Sequence, residues 1–73
     1  MRYELRRHLE RYRQFAENMD QYSYESLKIA CADHMEDVRS DAASRLITKT
    51  EAAEIERQYG NLLKVKAFTT LGM

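Results

Sequence analysis

The chain has 73 residues, no net charge, 44% apolar and 33% charged residues, one cysteine, two histidines and no proline. That length allows one domain, residues 1–73. The lone Cys31 excludes an intrachain disulfide, and with His8 and His34 it supplies only three of the four soft ligands a structural zinc wants. Overall neutrality argues against a nucleic-acid footprint, no run approaches the roughly 18 apolar residues of a membrane span, and no secretory signal is recognisable, so the reading is a cytoplasmic protein without a membrane partner.

A single core in a chain this short contributes only about 3–5 kcal/mol. With neither disulfide nor metal available, self-association is the remaining staple, and the expectation is a homodimer. Charge is unevenly distributed. Residues 1–13 carry Arg2, Arg6, Arg7, Arg11 and Arg13 against Glu4 and Glu10, whereas residues 17–41 hold seven carboxylates against Lys28 and Arg39. A basic first helix lying along an acidic second one would be attractive.

The first apolar series, Leu5, Leu9, Tyr12, Ala16 and Met19, has the 4, 3, 4, 3 spacing of one helix face and predicts a helix over about 3–19. Arg6/Glu10 and Arg13/Glu17 can pair on its solvent side. Ser23 then offers an N-cap, with Tyr22 before it placed to pack on Leu27 as a hydrophobic staple.

The second series, Tyr24, Leu27, Cys31, Met35, Val38, Ala42 and Leu46, falls within a sector of about 100° and predicts a long amphipathic helix over about 24–46, antiparallel to the first. Ile29 and Ile47 lie off that stripe. Thr48-Lys49-Thr50-Glu51 reads as a capping box opening a shorter helix over about 49–59, with Ala52, Ile55 and Tyr59 on one face and Gly60 ending it in the left-handed conformation. The competing reading is one rod running through Thr48–Thr50.

The tail alternates. Leu63, Val65 and Ala67 face one way and Lys64, Lys66 and Phe68 the other, the pattern of a β-strand over about 62–70, with a frayed terminus as the alternative. A lone strand leaves its backbone unpaired, so the expectation is a ribbon formed across the dimer, with Leu63 and Val65 joining Leu5, Leu9, Tyr12, Leu27, Cys31, Met35, Val38 and Leu46 in the core or interface. The fold class is therefore all-α or mostly α.

Four functional readings follow. Arg2, Tyr3, Arg6, Arg7, Arg11 and Arg13 form a candidate contact surface for a partner, since Tyr and Arg are typical interface residues. The same arginines could meet phosphates, and residues 46–68 look somewhat like a helix-turn-helix. Yet the segment after Gly60 is apolar and alternating, not a base-reading helix. Cys31-x-x-His34 beside Asp33, Asp37 and Asp41 lacks the second ligand pair a metal site needs. Cys31 with His34 also lacks oxyanion donors, because helix-interior amides are already bonded, and no glycine-rich phosphate loop exists. The sequence thus reads as a non-enzymatic interaction or regulatory protein with no cofactor, the nucleic-acid regulator being the alternative. Short, charge-dense and motif-free, it is similar in character to accessory proteins of phages and other mobile elements.

Overall fold

A computed structural model describes residues 2–71. Three helices account for nearly all of them: α1 (Tyr3–Glu17), α2 (Tyr24–Ala43) and α3 (Lys49–Leu71), with a 3₁₀ turn at Met19–Gln21 between the first two. Among the described residues there is no strand.

The caps explain where the helices start and stop. Asn18 closes α1, its backbone N–H donating to the Gln14 carbonyl at 3.0 Å and its side-chain amide to the same oxygen at 2.9 Å. Ser23 caps α2, its Oγ accepting from the Ser26 amide at 3.1 Å, as the sequence predicts. The capping box also forms: the Glu51 amide donates to Thr48 Oγ1 at 3.0 Å, and the Thr48 amide donates to Glu51 Oε1 at 2.8 Å. A helix break therefore separates α2 from α3, and the single-rod alternative does not hold.

That break comes earlier than expected. α2 ends at Ala43 rather than near Leu46, because Arg45 adopts φ 63°. The Leu46 amide then donates back to the Asp41 carbonyl at 2.8 Å and the Arg45 amide to Ala42 at 3.1 Å, a Schellman ending without glycine. The turn swings Leu46 outward, where it is exposed, and brings Ile47 into the core. Leu46 as a core residue is thus corrected, and Ile47 takes its place.

The larger correction concerns the tail. Residues 62–70 are helical, continuing α3 without interruption past Gly60, which has no positive φ. The alternation of Leu63, Val65 and Ala67 is overridden because helical phase buries Leu62 and half-buries Leu63 against the bundle. Val65 is left 53% exposed and Phe68 79% exposed. Among the described residues no strand is present to pair across a dimer.

The third helix also changes the packing. Residue 8 lies against residues 34 and 41, and residue 15 against 22 and 34, so α1 runs opposite to α2. Arg39 pairs with Glu56 and His34 meets Tyr59, so α3 returns opposite to α2. The most extensive contact is between α2 and α3, not between α1 and α2. The result is a bundle 42 Å long and 16 Å across, rather than a two-helix hairpin with an open side.

Leu27, Cys31, Val38, Ile47, Ala52, Ile55, Tyr59 and Leu62 form the buried core. Leu5, Leu9, Tyr12 and Met35 pack on it half-buried. No helix among the described residues is long and apolar enough to cross a membrane.

Candidate functional site

The least expected feature of the bundle is polar. The one fully buried side chain of α1 is His8, and it meets His34 of α2, which is 3% exposed. His8 sits three residues after Leu5 and four before Tyr12, so helical phase drives it inward with the apolar stripe. His34 likewise falls between Cys31 and Val38 at helical spacing.

Together they build a chain of hydrogen bonds through the core. Asp41 Oδ2 lies 2.7 Å from His8 Nε2, His8 Nδ1 lies 3.1 Å from His34 Nε2, and His34 Nδ1 is bonded to the Tyr59 hydroxyl. Arg7 Nη2 donates to the same Asp41 oxygen at 3.1 Å and holds it as an acceptor. That orders the protons. A carboxylate can only accept, so His8 carries a proton on Nε2; with one proton per ring, His8 accepts on Nδ1, and His34 donates from Nε2 and accepts on Nδ1, which gives the Tyr59 hydroxyl its acceptor. Both imidazoles are neutral in this arrangement and every member is satisfied. Among the described residues no buried side-chain nitrogen or oxygen lacks a partner.

The surroundings are aromatic. Tyr59 stands edge-on to His34 and Tyr12, and Phe15 packs against His34, Tyr22 and Tyr59. Burial lowers the His34 imidazole to about 4, with Arg11, His8 and Arg7 pushing the same way and only Asp37 opposing them. Burial also raises the Tyr59 hydroxyl above its usual range and pushes the Cys31 thiol up to about 11.

Of the sequence-based candidates, Cys31 lies in the core as a small buried side chain beside Leu27 and Val38. His34 is buried as well, and its partners are the His8 imidazole and the Tyr59 phenol rather than the neighbouring Asp33, Asp37 or Asp41. Among the described residues no three His, Cys, Asp or Glu side chains are grouped as metal ligands would be. The helix-turn-helix reading of 46–68 required a turn near Gly60, and α3 has none.

The arginines of α1, with Arg2 at its N-cap, divide into two groups. Arg2 pairs with Glu51, Arg7 with Asp37 and Asp41, and Arg13 with Glu10 and Glu17. The expected attraction between a basic α1 and an acidic α2 is met at Arg7, while the Arg6/Glu10 pair is replaced by Arg13/Glu10. Arg6 and Arg11 are exposed and form no ion pair among the described residues. They flank the outward face of α1, where Tyr3, Arg6, Arg7, Glu10, Arg11 and Gln14 line a shallow depression of about 340 Å³. Tyr3 is 64% exposed at its end.

The buried relay was legible only in part, because a pattern counted on apolar residues passes over an inward-facing histidine. Phe15, seven residues after His8, was the signal that could have found it. Comparison with protein-family models, curated proteins and solved structures finds no match for this chain.

Proposed function

We propose that this protein works by binding another macromolecule, in the first place a protein, through the outward face of α1. The observation behind the reading is the contrast among the N-terminal arginines: Arg2, Arg7 and Arg13 are neutralised within the chain, whereas Arg6 and Arg11 form no ion pair among the described residues and lie beside an exposed tyrosine. Unpaired arginines next to an exposed aromatic have the composition of an interface centre, and carboxylates on a partner would complete them bidentately. The role is regulatory rather than catalytic, since the histidines are bonded to one another and to Asp41 and Tyr59 inside the core. Self-association belongs to the same reading, with the exposed Val65 and Phe68 of α3 as the apolar surface that would join two copies.

A photo-crosslinking residue placed at Tyr3, and in a second variant at Ser40 on the outer side of α2, tests the binding face in cells. A discrete protein adduct from position 3 alone, lost on Arg6→Glu with Arg11→Glu, is the expected result. No adduct at position 3, or the same adducts from both positions, would overturn the reading. Sub-micromolar, salt-sensitive DNA binding by the wild type would put nucleic acid in place of the protein partner.

A further inference from the structure

We propose that the Asp41–His8–His34–Tyr59 chain is an acid-sensitive latch whose protonation frees α1 from a surviving α2–α3 hairpin. The proton order leaves no vacant site. An added proton on His34 Nδ1 faces the Tyr59 oxygen, and the Tyr59 hydrogen must turn away from the one acceptor it has among the described residues. If that proton passes instead to His8, through His34 Nε2 and His8 Nδ1, His34 ends as the Nδ1–H tautomer and Tyr59 loses its acceptor all the same. A second proton sets two imidazoliums against each other across the 3.1 Å contact. Each step leaves the Tyr59 hydroxyl unsatisfied or adds a repulsion between the rings, against which only the Asp41 carboxylate, 2.7 Å from His8 Nε2, favours a cation on His8.

The charged groups facing His34 resist its protonation. From α1 come Arg11 and Arg7, joined by His8 once it carries a second proton; from α3 comes the neutral Tyr59; on α2 itself Asp37 favours the cation and opposes them. Cys31, one turn away on α2, is an uncharged thiol.

The packing says which helix leaves. His8 is the one fully buried side chain of α1, so the residue that anchors α1 is the residue at the centre of the titrating chain. The remainder of the buried core, from Leu27 to Leu62, belongs to α2, α3 and the turn between them. Those two helices also share the most extensive contact.

Hydrogen exchange read by helix, and corrected for the intrinsic pH dependence, tests the latch on the wild-type chain. With His34 at about 4 in the bundle and 6.5 when released, opening at pH 5 should exceed that at pH 7 by about twentyfold. The expected result is that residues 3–17 lose protection by about that factor while 24–43 and 49–71 keep theirs. Unchanged protection of α1 down to pH 5, or simultaneous loss by all three helices, would overturn the proposal. In His34→Gln the pH dependence of α1 should disappear, and its persistence in the folded variant would count equally against it. If that variant does not fold, the wild-type measurement decides alone.

Discussion

Single residues carry much of the account. Tyr59→Phe removes one hydroxyl and leaves His34 Nδ1 without its donor in a closed core. A buried unsatisfied acceptor costs about 1–3 kcal/mol, and chemical denaturation should show a loss in that range with an unchanged m-value. Two backbone positions point the other way. Arg45 holds φ 63°, where a side chain costs about 1 kcal/mol, so Arg45→Gly should raise stability by up to that amount. Gly60 sits inside α3 with open space where a Cβ would be, so Gly60→Ala should add about 0.5–1 kcal/mol. A loss of stability in Gly60→Ala would mean that the chain bends at residue 60. The Cys31 thiol, buried and raised to about 11, should react with a thiol reagent at neutral pH only as fast as the bundle opens.

At the scale of elements, the caps were legible and the tail was not. Ser23 and the Thr48–Glu51 box were read correctly because a cap depends on side chains three residues apart, and nothing distant overrides it. Glu51 is held below the usual carboxylate range chiefly by the Thr48 amide, with Arg2 adding to it. The end of α2 was misplaced because Leu46 continues the apolar phase and no glycine marks the stop, so the left-handed residue was Arg45, a type with no such preference. The end of α3 was misplaced for the opposite reason. Gly60 reads as a stop and the alternating tail as a strand, although Leu62, Leu63 and Lys66 also fit a helix face. Substitution separates the two readings. Leu62→Asp should unfold the protein, because an unpaired carboxylate in the core costs several kcal/mol, while Val65→Asp should change stability by about 0.5 kcal/mol or less. A strand with Val65 inward would reverse that order in a thermal melt.

For the whole molecule, the polar chain couples stability to pH. His34 is lowered to about 4 from 6.5, so its contribution is complete above pH 6.5 and falls away as pH drops towards about 4. The shift corresponds to about 3 kcal/mol at most. The melting temperature should therefore be highest above pH 6.5 and decline through mildly acidic pH, before most carboxylates titrate. The helical class could be read from the absence of proline and the long 3,4 spacings. The way three helices close around two histidines could not, because it depends on which polar residues face one another once the helices are packed. The expectation of a dimer rested on a small core with neither disulfide nor metal; α3 enlarges that core and leaves Val65 and Phe68 exposed.

The most direct test of the account is the tautomeric state of the two histidines at pH 7, read from long-range ¹H–¹⁵N NMR correlations of the imidazole rings. Two neutral rings are expected, each protonated on Nε2, with His8 donating to Asp41 and His34 to His8. An imidazolium at either position, a Nδ1–H tautomer, or the averaged shifts of a solvent-exposed histidine would contradict it.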